Sequence, residues 1–206
     1  MYQQPVLAPP PPTETVNHIG AFLVQAPVFA AFVAALVTAI GWLMTHRSQH
    51  QLAIRKARLE LVDRQLEKLY GPLHVLCEAG RTSYHTLLKK LGRRNGIFNE
   101  DPPPTENEVR EWFHWMEHVL HPMNEAREKL ILENCHLIVE DTVPACFLEF
   151  SAHIAGYRAI LPKWAKGDLS ERYASTEFPK SIDEYAKKSF IALKKEQAVL
   201  IGLLRK

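Results

Sequence analysis

No lysine or arginine precedes Arg47, and Glu14 is the only ionised side chain before it. From Ile19 to Thr45 the chain runs 27 residues without Lys, Arg, Asp, Glu or His. Glycine is sparse, at 9 of 206 residues, which excludes a collagen-like repeat. The three cysteines, Cys77, Cys135 and Cys146, are odd in number and include no Cys-x-x-Cys pair. Neither a disulfide framework nor a zinc or thiol-redox motif follows from them, and they are expected as free thiols. The chain has no glycine-rich phosphate loop, no Gly-x-Ser-x-Gly and no dinucleotide fingerprint, so small-molecule catalysis has no visible engine. A net charge of only +2 gives no case for nucleic acid as a partner. What is present, 47% hydrophobic and 23% charged residues, excludes a disordered chain.

The charge-free run sets the topology. As a helix rising 1.5 Å per residue, Val28–Met44 alone covers about 25 Å, against a hydrocarbon core of about 30 Å. Residues 19–45 are therefore predicted to form one transmembrane helix, with Pro27 near its start and Trp42 at an interfacial depth near its end. A cleaved signal peptide fits poorly, because residues 1–18 contain no Lys or Arg and the run ends in Trp-Leu-Met-Thr-His-Arg. Arg47, Arg55, Lys56 and Arg58 follow before any acid, so the positive-inside rule places the amino terminus outside and residues 46–206 in the cytoplasm. These four cations set the topology and contact lipid at the membrane surface. Residues 1–18, with Pro5 and Pro9–Pro12, read as an extended proline-rich stub outside the membrane. The expected location is the cell (inner) membrane, as a single-pass signal-anchor.

Residues 46–206 read as helices throughout. Leu52, Leu59, Val62, Leu66, Leu69, Leu73 and Leu76 form a heptad seam of coiled-coil type. Gly71-Pro72 interrupts it, and because the seam keeps its phase on both sides a bend is expected there rather than a chain reversal. The helix should end near Leu91-Gly92. Asp101-Pro-Pro-Pro104 is a stiff connector. Thr105-Glu-Asn-Glu108 has the pattern of a capping box. Val109, Trp112, Phe113, Met116, Val119 and Leu120 then form an apolar stripe, Pro122 marks a kink or restart, and Met123, Ala126, Leu130 and Leu137 carry the stripe onward. Thr142 before Val143-Pro144 points to the next start, with Phe147, Phe150, Ile154, Tyr157 and Leu161 as its buried face. Ser181-Ile-Asp-Glu184 is a second capping-box pattern, opening a helix to about Leu204. The predicted class is all-α: one transmembrane helix followed by a four- to five-helix cytoplasmic bundle.

Charge is segregated along this domain. Residues 47–99 hold 11 basic and 4 acidic side chains, residues 100–149 hold 3 and 12, and residues 158–206 hold 11 and 6. The acidic middle is expected to lie beside the basic flanks. Histidine supplies the one candidate for site chemistry. Glu111, His114, His118, His121 and Glu125 recur at steps of three and four, and His-x-x-x-His on a helix chelates zinc or iron. Glu111/His114 and Glu133/His136 also have the Glu-x-x-His spacing of di-iron carboxylate bundles. At about 100° per residue, however, the histidine face lies opposite the stripe of Met116 and Leu120, which predicts a solvated face. A metalloenzyme using His114, His118 and His121 is thus the alternative reading. A weaker one is a lipid or small-ligand site lined by Trp112, Phe113, Phe147, Phe150 and Tyr157.

Three phrases together carry a resemblance: Gln65-Leu-Glu-Lys-Leu-Tyr-Gly-Pro-Leu73, Glu117-His-Val-Leu-His-Pro-Met-Asn124, and Pro144-Ala-Cys-Phe-Leu through His153 to Trp164. They resemble a family of small, mostly bacterial, uncharacterised proteins with one amino-terminal membrane span and a cytoplasmic helical domain. The resemblance covers about residues 60–206. It implies that architecture and no catalytic residue or cofactor. The function expected from these observations is a membrane-anchored helical module that binds a protein partner or itself.

Overall fold

A computed structural model describes residues 15–205, with side chains from Phe29 onward. The expected proline-rich stub lies, up to residue 14, outside the described residues. The chain divides into two units, Met1–Ile54 and Arg55–Lys206. Among the described residues there is no strand. The described residues form six α-helices: α1 (Thr15–Gln65), α2 (Gly71–Lys90), α3 (Glu106–Trp115), α4 (His121–Glu133), α5 (Ala145–Ala165) and α6 (Ser181–Leu204).

In the first unit, α1 is already helical at Thr15, so Pro27 lies inside the helix and not in its first turn. From Phe29 onward α1 is long and apolar enough to cross a membrane, and none of its apolar window is buried. Phe29, Phe32, Val37 and Trp42 are all exposed, unlike a core helix of a globular domain. The two hydroxyls in this stretch are satisfied within the helix: Thr38 Oγ1 donates to Ala34 O at 2.8 Å and Thr45 Oγ1 to Gly41 O at 2.9 Å. In hydrocarbon such internal pairing is the available route for a hydroxyl.

The second unit packs four helical arms. The end of α1 runs into α2 through a π-helical turn, Leu66–Tyr70, without reversing direction. The interruption at Gly71-Pro72 is taken up by this turn, in which the Gly71 N–H donates to Leu66 O five residues back. Proline lacks an N–H, and its ring clashes with the carbonyl four residues earlier. A wider turn moves that carbonyl aside. The same device recurs between α3 and α4. Met116–Leu120 is π-helical, the His121 N–H donates to Met116 O, and Pro122 follows. The α3–α4 arm is therefore one helix with an extra residue in the middle, and Pro122 neither breaks nor restarts it.

Polar contacts fix the directions. Arg58 pairs with Glu196, Gln197 donates to Asp63, and Tyr70 meets Tyr185, so α6 runs antiparallel to the end of α1 and α2. Arg127 meets Leu76, Ser83 meets Met123, and Lys90 pairs with Glu111, so the α3–α4 arm runs antiparallel to α2. Arg158 pairs with Glu125 and Glu128, and Phe113 packs at a tilt against Trp164, so α5 returns antiparallel to α3–α4. The acidic middle does face the basic flanks through these pairs. Such exposed pairs set register more than stability.

Three core layers follow along the axis. The first holds Val62, Leu66, Leu69, Tyr70, Leu193 and Leu200. The second holds Leu73, Cys77, Ile131, Phe147, Phe150 and Ile154. The third holds Leu87, Leu88, Trp112, Phe113, Tyr157 and Trp164. The seam residues from Val62 to Leu73 are thus covered within the chain, while Leu52 is exposed.

Helix ends follow their local chemistry. Thr105 and Glu108 make the reciprocal capping box, with the Thr105 hydroxyl accepting from the Glu108 N–H and the Glu108 carboxylate from the Thr105 N–H. Arg93 holds the same carboxylate, and Glu108 is lowered to about 2 by that guanidinium and by Thr105. Helices α2 and α5 end in Schellman turns at Gly92 (φ 69°) and Gly167 (φ 82°), where only glycine is unstrained. The second capping box does not form. Ser181 is the first helical residue, Lys180 precedes it without a side-chain cap, and Glu184 pairs with Lys188. Helix α5 begins at Ala145 after Pro144, without a cap from Thr142.

Candidate functional site

The polar interior of the second unit centres on α4. His121, Asn124, Arg127 and Glu128 are buried there, with His153 of α5 close by. Their orientation is a consequence of the Met116–Leu120 turn. One extra residue rotates everything after it by about 100° relative to an uninterrupted α-helix. Asn124, Arg127 and Ile131 face inward, whereas Met123 and Leu130 are half-buried and Ala126 is exposed. The stripe expected through Met123, Ala126 and Leu130 is corrected accordingly.

Arg127, 2% exposed, is the largest fully buried side chain. Its Nε and Nη2 donate to Leu76 O at 3.2 and 2.7 Å, and its Nη1 donates to Asn124 Oδ1 at 3.1 Å. The guanidinium lies 5.9 Å from the Phe150 ring centre and 5.7 Å from that of Phe178, within cation–π range. Gly80 makes room for it, since a Cβ at that position would overlap Nη2. Burial lowers the Arg127 pKa, partly offset by the fields of Cys77 and Asp183. Asp183 is itself raised by burial, and its Oδ1 has no partner among the described residues. Burial pushes the Cys77 thiol up to about 12, so it is a neutral, inert group and no nucleophile.

The two buried histidines sit on either side of Tyr157. Their ring centres are 6.2 Å (His121) and 5.1 Å (His153) from that of Tyr157. His153 Nδ1 donates to Thr176 O at 2.8 Å, which fixes the tautomer. His121 Nε2 is 3.5 Å from Glu125 Oε1, and its Nδ1 is buried without a partner among the described residues. Burial lowers the pKa of both rings.

The histidines singled out in the sequence do not converge. His114 and His118 are exposed and stack edge-to-face at 4.7 Å, while His121 turns inward. The placement of all three on one solvated face is corrected by the π-helical turn. Among the described residues, no group of three or more His, Cys, Asp or Glu side chains is arranged to hold a metal ion. Glu111 and Glu125 are engaged by Lys90 and Arg158. Of the surface cations, Arg47 and Lys56 are exposed, Arg55 is half-buried, and Arg58 grips Glu196 with bonds of 2.6 and 3.0 Å. The aromatic set falls into two different core layers, Trp112, Phe113 and Tyr157 in one, Phe147 and Phe150 in the other.

Sequence reasoning missed Arg127, Gly80 and Asp183. The available signal was an arginine one step out of phase with a stripe that follows a proline. Through the Arg127 guanidinium, α4 is joined to the Leu76 carbonyl of α2, to Phe150 of α5 and to Phe178 ahead of α6. No protein-family model matches the chain, and no curated protein or solved structure matches it.

Proposed function

We propose that this chain is a single-pass membrane protein whose helical domain is an interaction module. Residues 19–45 anchor it in the cell (inner) membrane with the amino terminus outside, and residues 46–206 lie in the cytoplasm and bind a protein partner or a second copy. The observation that carries this reading is the contrast between the two units. The apolar window of α1 is entirely unburied, whereas Arg55–Lys206 closes core layers of its own. A helix with such a surface needs a non-aqueous environment. The orientation rests on Arg47, Arg55, Lys56 and Arg58. The likeness of the Leu69-Tyr-Gly-Pro-Leu73 phrase to a family of anchored helical proteins agrees with it. The interaction role is supported by Leu132, Val139, Val143 and Leu148, exposed apolar residues along the α4–α5 connection.

Alkaline extraction should leave the full-length protein in the membrane pellet, and a reporter fused after Lys206 should act as cytoplasmic. Release into the soluble fraction would remove the anchor and the orientation with it. For the interaction role, cross-linking in intact membranes should give a discrete larger species that Leu148→Glu weakens. A monomer under all cross-linking conditions refutes it.

A further inference from the structure

The exposed apolar residues of the α4–α5 connection lie in an acidic setting. Leu132 and Leu148 are each 62% exposed, and Val139 and Val143 lie between them along the chain. From Leu130 to Phe150 there is no Lys or Arg, while Glu133, Glu140, Asp141 and Glu149 are exposed. The outer face of α6 has the opposite charge. Ile191 is exposed between Lys187, Lys188, Lys194 and Lys195, three or four residues away on the same face, and Ala198 and Val199 continue the apolar surface. Among the described residues, Asp141, Glu149, Lys187 and Lys195 form no ion pair.

Both surfaces belong to the unit Arg55–Lys206, and they lie at one height along it. The Tyr185 hydroxyl meets Tyr70 and Glu140, and Tyr70 accepts from the Val139 N–H, so these four residues share a level. Lys188 follows Tyr185 by three residues, about 5 Å toward Arg58. Arg158 faces Glu125 and Glu128 across α4, and Arg127 reaches the Leu76 carbonyl, six residues beyond Tyr70. Leu148 lies ten residues before Arg158, which places it about 6 Å from the Tyr70 level in the same direction as Lys188. We propose that the α4–α5 surface of one copy takes the Lys187–Lys195 face of α6 from a second copy, with Ile191 against Leu148 and the lysines against Asp141 and Glu149. This rests on the interaction reading above and names the partner. Two α4–α5 surfaces would meet acid to acid, and two α6 faces lysine to lysine, so charge opposes a symmetric pairing of either. The contact is head-to-tail, between side-by-side copies whose helices keep their directions, and each pair retains one unused surface of each kind for a further copy.

The test uses full-length protein in native membranes with Cys135→Ser, since Cys77 and Cys146 are buried. One tagged chain carries Leu148→Cys, a differently tagged chain carries Ile191→Cys, and a short bismaleimide joins neighbouring thiols. The two chains should cross-link to each other and neither to its own kind. Lys187→Glu with Lys188→Glu in the Ile191→Cys chain should lower the yield about ten-fold, as should Asp141→Lys with Glu149→Lys in the Leu148→Cys chain, and pairing the two reversed chains should restore it. A product joining position 148 to 148, or 191 to 191, in place of the mixed one overturns the head-to-tail contact. A mixed product indifferent to charge reversal, or one that the paired reversals do not restore, also overturns it. If no mixed product forms while the larger cross-linked species weakened by Leu148→Glu persists, this contact is refuted and the interaction reading stands. Loss of every larger species removes both.

Discussion

Replacing Gly80 by alanine sets two effects against each other. In a helix interior the change favours alanine by about 1 kcal/mol. In α2, however, the new methyl would occupy the place of Arg127 Nη2. The guanidinium must then leave the Leu76 carbonyl, to which it donates twice, at 3.2 and 2.7 Å. A hydrogen bond from a charged group contributes about 1.5–3 kcal/mol, and overpacking a filled interior costs about 1–3 kcal/mol. The loss outweighs the gain, so Gly80→Ala should destabilise the domain by about 2–4 kcal/mol. Arg127→Met reverses the sign. It keeps an apolar stem against Phe150 and Phe178, lacks the planar head, and on its own should cost about 1–3 kcal/mol by leaving the Leu76 carbonyl and Asn124 Oδ1 without their buried donor. In that background Gly80→Ala should recover about 1 kcal/mol. The coupling between the two sites is then about 3–5 kcal/mol, far above the few tenths seen for independent sites. Urea unfolding of the four full-length proteins in mild detergent, followed by emission of the buried Trp112 and Trp164, measures the cycle. A Gly80→Ala protein more stable than wild type, or a coupling near zero, would show that the guanidinium does not rest on Gly80.

Three further outcomes are expected. His121 and His153 are held below the usual histidine value of 6.5 by burial, so the unfolded chain binds their protons more readily. Their contribution to stability is full above that value and is lost as pH falls through it toward the folded pKa; urea midpoints at pH 7.5 and 5.5 should show the loss, and replacing both by Gln should flatten it. Thr105→Ala should cost about 1 kcal/mol through loss of the cap, read as a lower thermal midpoint, and Thr105→Ser should restore it. An aromatic disulfide reagent should titrate the exposed Cys135 rapidly and leave the buried Cys77 and Cys146 unreacted until denaturant is added; three fast thiols would contradict the packing of α2 against α6.

Features that depend on one turn of chain were legible in the sequence. The Thr105–Glu108 box, the stop at Gly92, and the apolar face of α5 from Phe147 to Tyr157 all appear where local chemistry puts them. The charge blocks were legible too, because attraction between an acidic middle and basic flanks does not depend on helical phase. The Ser181–Glu184 pattern failed for a local reason: Lys180 and Ser181 already have helical geometry, so the serine hydroxyl has no free N–H to cap. Arg127 was not legible, because an arginine reads as a surface residue until a glycine on another helix is known to face it.

The misplacement of His121 and Arg127 has a single physical origin. Counting at about 100° per residue is valid only while the helix keeps its pitch. Pro122 removes the N–H that would pair with the fourth residue back, and the chain answers by inserting a residue and closing the turn through His121 onto Met116. Pro72 is met by the same turn, closed through Gly71 onto Leu66, but Leu73 stays buried just beyond it and only the following position passes from Leu76 to Cys77. In both places the residue before the proline closes the wide turn, but only beyond Pro122 does the apolar phase ahead of the turn cease to apply. Restarting the count with one added residue shifts the inward set of α4 from Met123, Ala126 and Leu130 to Asn124, Arg127 and Ile131, which is the set found buried. The same one-residue step carries His121 from the face of His114 and His118 into contact with Tyr157, and so separates the three histidines that the spacing alone had joined.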